Sequence, residues 1–554
     1  MATAILTGLC EPDRKALRTP LATGYWQEFK EWQDRVTLAK RQKRIGDVLL
    51  LTEEVSNPLI QEEALAVAGK ALTDLGNHAL ALKEYRQGLK INAKNSEFRR
   101  QEAFHLSRLK QFDEAIVKLE GLLQDEPSNI EAICILARIY KERWRNEWVD
   151  IASQEERLKV AYEYSHLLKK SIETYLKGYR LNQNHYYSGI NALTLLAVLE
   201  HLSQQVGIDI DPEDEAFRQQ LPVLKGAVQF CLESVATSDA HDSWVYISLS
   251  DFAVCTAQDP KQVTRAYKKA LTLAWKSKFD LKSTLGQLEL LDLLNFRSEH
   301  VKAGIAVLQT ELDRFEHQEK AVASQIDHEP AQVFLFSGHM IDHPDRLKPR
   351  FPAAMESEAL QKIEEVLDAL KPCSNSMAIA PGAACGADIL FIEACLRRNM
   401  KVEVFLPFYQ PEFIQDSVSF AGDDWVARFY KIQHHPNLTM HFQPERLGAV
   451  PDGDNAYERN NRWALYSTLM YGIERVRLVV LWDGKEGNAG GTGDMVRQVR
   501  QLGGVVEHID ITKFMYWNKG NVLDPISSKL LSESDDNISG NAYRESEESS
   551  EVCQ

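Results

Sequence analysis

Two stretches of this 554-residue chain repeat one another at an offset of 34 residues. Leu75, Ala81, Tyr85 and Leu89 recur as Leu109, Ala115, Leu119 and Leu123, and Asn95 recurs as Asn129. A period of this length holds one helix–turn–helix. Such a unit cannot bury its apolar face alone, so the repeat commits this part of the chain to a stack of helices. Ala81 and Ala115 are the small residues expected where two helices approach closely. Apolar residues keep a three- and four-residue spacing from about 60 to 320, which extends the helical reading over that whole span. A third echo, Tyr175, Gly178 and Asn182, matches Tyr85, Gly88 and Asn92 at a spacing of 90, so the segment between departs from the period.

Ahead of the repeats, residues 1–55 read as a helical lead-in. Val36, Leu38, Ile45, Val48 and Leu49 supply its apolar side. The basic run Lys40–Arg44 reads as a solvated helix face, with a nuclear signal or anion patch as the lesser alternative. The helical region proper is placed at 56–320, an α/β domain at 328–515, and a tail at 516–554.

Charge narrows the functional classes. The chain carries 64 Lys and Arg against 80 Asp and Glu, a net charge of −16. The last 36 residues account for −5 of this, in a polar, Ser- and Glu-rich segment with little apolar surface to offset ordering entropy. That segment reads as an acidic disordered tail. An acidic surface disfavours an extended nucleic-acid footprint or an anionic membrane, because phosphate contacts need clustered Lys and Arg. No run approaches the ~18–20 apolar residues of a membrane span, and the N-terminus lacks a signal peptide's basic start and apolar core. The eight cysteines form no Cys-x-x-Cys pair, which argues for a reduced, cytoplasmic setting without a zinc site.

The 34-residue period with its small-residue contact is the tetratricopeptide (TPR) signature. Repeats of this kind stack into an α-solenoid whose usual work is to bind a protein partner, with self-association into a homo-oligomer as the other use. Within this region Tyr186–Leu196, reading Tyr-Tyr-Ser-Gly-Ile-Asn-Ala-Leu-Thr-Leu-Leu, resembles the core motif of the TRAFs-binding domain. That domain is known from the apoptosis signal-regulating kinases and from bacterial multidomain proteins. Asp242-Ser243-Trp244, Ala266, Ala270 and Trp275 resemble its later helices. No kinase motif follows, so kinase activity is not implied.

Near 330 the pattern changes. Short apolar runs at Val333–Phe336, Met377–Ala380, Val402–Leu406, Leu438–Phe442, Leu478–Trp482 and Val505–Ile509 alternate with helical segments near 354–370, 386–399, 423–434, 456–472 and 491–502. This alternation predicts a doubly wound, Rossmann-like parallel sheet with helices on both faces. Ligands of such sheets bind beyond the C-terminal strand ends. The residues there are small or polar: Ser337, Gly338 and His339, then Arg346 and Arg350; Gly382, Ala383, Cys385, Gly386 and Asp388, followed by Glu393; Asp483 and Gly484; and Gly490, Gly491 and Thr492. Two of these loops, Gly382–Gly386 and Gly490–Gly493, open helices and have the form of phosphate cradles. Neither ends in Gly-Lys-Ser/Thr, and neither is a clean Gly-x-Gly-x-x-Gly.

Other residues have competing readings. His339, Asp342 and His343 invite a metal, but no third ligand is evident nearby, and hydrogen bonding explains His339 better. Tyr457, Arg459, Asn460, Asn461, Arg462 and Trp463 read either as a base-stacking group or as core. Cys385 reads as a buried, inert residue, and His434, His435 and His441 as loop or surface histidines.

Phe336–His339, the Gly382–Asp388 loop with Glu393-Ala394, Leu406–Phe408, Asp483-Gly484 and Gly490–Thr492 together resemble the SLOG superfamily, which contains the DprA/Smf and LOG proteins. The resemblance covers about 331–510. It implies a domain that binds a nucleotide or nucleotide-derived signal, and its closest subgroup is bacterial. LOG-type members cleave the base from nucleoside monophosphates with a Pro-Gly-Gly-x-Gly-Thr-x-x-Glu motif. Here Pro381-Gly382 is followed by Ala383, and Met495 stands where a Glu would follow Thr492. The expectation is therefore a signalling protein that senses a nucleotide-class ligand, with no catalytic residues and no required cofactor. The rivals are a nucleotide N-glycosidase and a ligand-free scaffold.

Overall fold

The computed structural model describes residues 20–207, 212–238, 243–274, 278–322, 330–451, 453–485 and 491–515. The chain divides into two compact units. One is the helical region, residues 57–326. The other joins residues 20–56 to the described residues from 330 onward. The acidic tail at 516–554 lies outside the described residues.

In the helical unit the 34-residue period appears directly in the helix starts. Helix Ser96–Arg108 is followed by Ile130–Trp148, and His78–Ile91 by Phe112–Asp125. The recurring asparagines are N-caps. The Asn95 and Asn129 side chains accept the Phe98 and Ala132 N–H groups at 2.9 and 3.0 Å, satisfying donors that the first helical turn leaves open. Ala81 and Ala115 are fully buried, as close helix contact requires. Gly88 serves the same end, since a Cβ there would lie 2.3 Å from the Phe98 ring.

The period breaks after Trp148. Trp144 and Trp148 meet edge to face at 5.1 Å, and the Trp144 indole donates to the Ala161 carbonyl at 2.8 Å. This anchors the inserted helix Gln154–Glu163. The third echo then resumes the pattern: Asn182 ends helix Ser165–Leu181 by donating to the Gly178 carbonyl, as Asn92 does to Gly88. The Tyr186–Leu196 motif opens the largely buried helix Tyr186–Val206. A Cβ at its Gly189 would sit 2.9 Å from the Tyr179 ring, so this glycine sets a helix crossing.

The second unit is built on an all-parallel sheet of six strands: β1 (Gln332–Gly338), β2 (Ser376–Ala380), β3 (Lys401–Leu406), β4 (Leu438–Phe442), β5 (Val476–Trp482) and β6 (Val505–Asp510). All six coincide with the runs read from the sequence. Their spatial order is β4-β3-β2-β1-β5-β6. The chain thus builds outward from β1 to one edge, then crosses back to place β5 on the other side of β1. Phe334, Phe336, Ala378, Ala380, Val402 and Val404 belong to one core cluster with helices Glu356–Leu370, Ala387–Arg397 and Asp423–Gln433. On the alternate register the Phe405 ring meets Trp463 of helix Ala456–Thr468 edge to face at 4.6 Å.

Residues 20–53 form two helices, Pro20–Arg41 and Ile45–Glu53, that belong to the sheet unit. The Trp463 indole donates to Asp47 at 2.7 Å in a buried setting. The Arg459 guanidinium, 1% exposed, is gripped by both Glu54 oxygens at 2.6 and 2.9 Å and donates to the Gln443 side chain and the Leu447 and Gly448 carbonyls. Arg462 and Tyr466 both reach Glu53, at 3.0 and 2.5 Å. Helices Ile45–Glu53 and Ala456–Thr468 come so close that a Cβ at Gly46 would lie 2.8 Å from the Ser467 Cα. Of the residues read from the sequence either as a base-stacking group or as core, Arg459, Arg462 and Trp463 hold the helix Ile45–Glu53 and its end, and the buried Trp463 takes the core alternative. His441 also departs from its surface reading. It is buried in β4, between Glu403 at 3.3 Å and Arg446 at 2.5 Å.

Removing Glu54 leaves the Arg459 charge buried without its carboxylate. Glu54→Ala is expected to destabilise this unit by about 3–5 kcal/mol, read by urea denaturation followed through tryptophan fluorescence. Glu445→Ala, at an exposed site, is expected to leave the midpoint unchanged.

Candidate functional site

The crossover between β1 and β5 is where an open parallel sheet leaves a crevice beyond its strand ends. β1 and β5 pair through Gly338 and Leu481, so the residues that follow each strand emerge side by side. Ser337 and Thr492 meet across this point, the Ser337 hydroxyl donating to the Thr492 oxygen at 3.1 Å. His339, 6% exposed, follows at the end of β1. Its Nδ1 lies 2.7 Å from Arg350 Nη2, and its Nε2 lies 3.6 Å from Asp483 Oδ1.

This geometry assigns the tautomer. A guanidinium only donates, so Nδ1 must accept and the proton of a neutral ring sits on Nε2. Burial, reinforced by the Arg350 charge, pulls the imidazole pKa down to about 4, so the ring is neutral near pH 7. The Nε2–H faces Asp483 from beyond hydrogen-bond distance and has no other partner.

Around this point the loops brace one another. Asp342 accepts the Arg350 and Phe351 N–H groups at 2.7 and 2.8 Å and pairs with Arg346 at 3.3 Å. Arg346 also donates to the Lys348 carbonyl at 3.0 Å, so it is part of its own loop's frame. The glycine loop after β2 lies against the segment after β1. Ile341 donates to the Cys385 carbonyl, and Ala387 to the His339 carbonyl. Gly386 adopts φ +110°, and a Cβ there would lie 2.7 Å from the Ile341 nitrogen, so only glycine fits. Gly338 is equally constrained, because a Cβ would meet the Ala387 Cβ at 2.5 Å.

The expectation of a phosphate cradle at Gly382–Gly386 needs revision in part. The N–H groups of Ala384, Cys385 and Ala387 are already spent, on the Asp388 carboxylate at 3.3 Å and on the Ser417 and His339 carbonyls at 3.0 and 3.1 Å. Asp388 tucks under Gly382, where a Cβ would lie 2.6 Å from its Oδ2. Desolvation lifts its pKa to about 7. Ala383 and Cys385 are fully buried, and burial pushes the Cys385 thiol up to about 12, so it is inert. Glu393 stands apart from this cluster. Both its oxygens bind Arg428, at 2.6 and 2.9 Å, and Arg428 also holds Glu356 and covers the Trp425 ring.

The structure therefore brings together Ser337, His339, Asp483 and Thr492, with Gly338 as packing and Arg346 on the bordering loop. Gly484, at φ +78°, turns the chain just after Asp483. Gly491 precedes the helix at Thr492, while Gly490 lies outside the described residues. Arg350, read from the sequence with the strand-end residues, reaches back eleven residues along the loop after β1 to the His339 ring. Among the described residues no group of three or more His, Cys, Asp and Glu side chains is arranged to hold a metal ion, and no helix is long and apolar enough to cross a membrane.

A family model described as Tetratricopeptide Repeats-Sensor matches residues 77–196, which establishes TPR-type repeats in the helical unit. No curated protein matches the chain. Among solved structures, the human IFIT1 dimer with m7Gppp-AAAA is 15% identical, with 57% of this chain and 88% of that one covered and a TM-score of 0.21. A monomeric IFIT1 mutant with Gppp-AAAA is 14% identical over 53% and 78% of the two chains, with a TM-score of 0.19. Likenesses at this level carry no argument about the ligand of this chain.

Asp388 yields a pH prediction with a definite sign. Its folded pKa, about 7, lies above the ordinary aspartate value of 3.8, so ionising it costs stability as pH rises between those values. Asp388→Asn keeps an acceptor for the Ala384 N–H and carries no charge. The variant is expected to melt above the wild-type chain at pH 8, with the gap narrowing at pH 5, as measured by thermal denaturation.

Proposed function

We propose that the chain is a sensor without catalytic activity, in which the sheet unit binds a nucleotide-class ligand and the TPR-type unit binds a protein partner or a second copy. On this reading the sheet unit is a SLOG-like, Rossmann-like domain. The observation that carries the proposal is the convergence of Ser337, His339, Asp483 and Thr492 at the β1/β5 crossover, with a buried imidazole N–H that lacks an acceptor. A phosphate or base carbonyl oxygen supplies that acceptor, the Ser337–Thr492 hydroxyl pair offers further hydrogen bonds, and Asp483 suits ribose hydroxyls. Helix Thr492–Gln501 begins at this point and turns its positive end toward an anion.

The chemistry around Asp388 supports binding over base cleavage. Its carboxyl is spent bracing its own loop, and both Glu393 oxygens are spent on Arg428, so these two carboxylates do not act as a pair. The net charge of −16 supports a small ligand over a long nucleic acid. The name of the family matched at 77–196 supports a sensing role for the helical unit, and TPR-type repeats commonly engage proteins. Nothing in the proposal requires a cofactor or a metal.

The test is calorimetry of the full chain against mono-, di- and cyclic nucleotides and nicotinamide- and adenosine-ribose derivatives. At least one is expected to bind, and Asp483→Asn combined with Ser337→Ala is expected to weaken it by about tenfold or more. Absence of binding across the panel would refute the proposal, and release of free base would favour the enzyme.

A further inference from the structure

The helical unit carries a cationic face that the proposed ligand site does not involve. Helices Ser96–Arg108 and Ile130–Trp148 open successive repeats, and their side chains meet. Phe104 lies half-buried at the meeting point. The Arg138 guanidinium covers its ring at 5.6 Å, and the His78 ring meets it edge-on at 6.2 Å. Arg108, exposed at the end of its helix, points its Nε–H at His78 Nε2 from 3.5 Å. Two guanidiniums therefore border one aromatic ring.

The hydrogen bonds behind them determine what this face offers. The Thr73 hydroxyl proton goes to the Gly69 carbonyl at 2.7 Å, so its oxygen accepts from His105 Nε2 at 3.0 Å. Burial pulls the His105 pKa down to about 4, so the ring is neutral and its Nδ1 carries no proton. His78 Nδ1, 3.2 Å away, is then the donor of that pair. Burial, and after it the charges of Arg108 and Arg138, also pull the His78 pKa down. A neutral His78 presents Nε2 to Arg108 as a lone pair, which orients the guanidinium without neutralising it.

No carboxylate neutralises it either. Among the described residues neither Arg108 nor Arg138 forms an ion pair, and Arg138 forms no hydrogen bond. Desolvation and then the Arg138 charge pull the Arg108 pKa down; Glu142 opposes this, but it pairs with Arg145 at 3.7 Å. Open guanidinium forks match the oxygens of a carboxylate or phosphate. Two observations favour a carboxylate on a peptide over a nucleic acid. The chain has a net charge of −16. The exposed Glu131 lies two turns before Arg138 on the same helix face, about 10 Å away, where the next phosphates of a polyanion would meet it.

We propose that this face binds an Asp or Glu side chain of an extended peptide from a protein partner, its carboxylate on Arg108 and Arg138 and a neighbouring side chain against Phe104. The proposal rests on the reading of the helical unit as partner-binding and names the chemistry that the partner brings.

A phage library of random twelve-residue peptides is panned against the full chain, and the enriched peptides are synthesised with acetyl and amide caps. They are expected to share an Asp or Glu whose replacement by Asn or Gln weakens binding by about tenfold or more in fluorescence anisotropy. Arg108→Gln and Arg138→Gln are each expected to weaken the acidic peptides by a similar factor, with the helical circular dichroism unchanged. Arg108 is exposed, so its replacement keeps the test open if Arg138→Gln fails to fold. Arg99→Gln, which removes the partner of Asp125, is expected to leave binding unchanged. A labelled twelve-nucleotide oligoadenylate is the nucleic-acid arm. Enriched peptides without a shared acidic residue, or acidic peptides indifferent to both substitutions, overturn the proposal and leave the partner-binding reading in place. RNA binding that the same substitutions abolish overturns it in favour of a nucleic acid. A library that yields no enriched peptide overturns both.

Discussion

A single buried guanidinium organises the sheet unit. Arg459 lies on the helix that carries the chain from β4 back across to β5, and its charge is removed from water. A buried cation is tolerable only when paired and fully hydrogen-bonded. Glu54 supplies the charge, and Gln443, Leu447 and Gly448 supply the remaining acceptors. The crossover helix, the turn after β4 and the helix Ile45–Glu53 are thereby tied to one point. Asn460, one residue on, donates to the Phe405 and Pro381 carbonyls and so locks the same helix to the ends of β3 and β2. The position of the strand ends depends on this helix being held.

The candidate site follows from that frame together with the order of the strands. Because β5 returns beside β1, two segments separated by about 145 residues in sequence deliver His339 and Asp483 to within 3.6 Å. Parallel pairing makes them neighbours, since strands running the same way end at the same edge. The glycine loop after β2 then acts as a strut. The Ala387 N–H donates to the His339 carbonyl and the Cys385 carbonyl accepts from Ile341, which braces the segment after β1 that carries His339. A donor with only a carboxylate at 3.6 Å before it is costly to bury.

Much of this architecture was legible in the residues themselves. The six strands and five of their companion helices stand where apolar runs and helical spacing put them, because periodicity reports which face of an element is buried. The 34-residue period was visible for a similar reason. Asn95 and Asn129 do one local job, capping a helix start, and local jobs leave local marks. The glycines at 338, 382 and 386 each sit where a Cβ would collide, against the Ala387 side chain, the Asp388 carboxylate and the Ile341 nitrogen. A phosphate loop and a packed turn place the same demand on the Cβ, so the residue type could not distinguish them.

What the chain's own order determined was the kind of element at each place: helical repeats first, then alternating strands and helices, and a set of small and polar residues at the strand ends. What only the tertiary structure decided was partnership. Glu53 and Glu54 could not announce that their arginines lie some four hundred residues away, nor Trp463 that its indole N–H would go to Asp47. Asp483 comes to the imidazole of His339 only after β1 and β5 are paired. The physical reason is that side-chain charge and hydrogen-bonding capacity are local properties, whereas their satisfaction is a property of the folded space, and no periodicity encodes which distant group fills it.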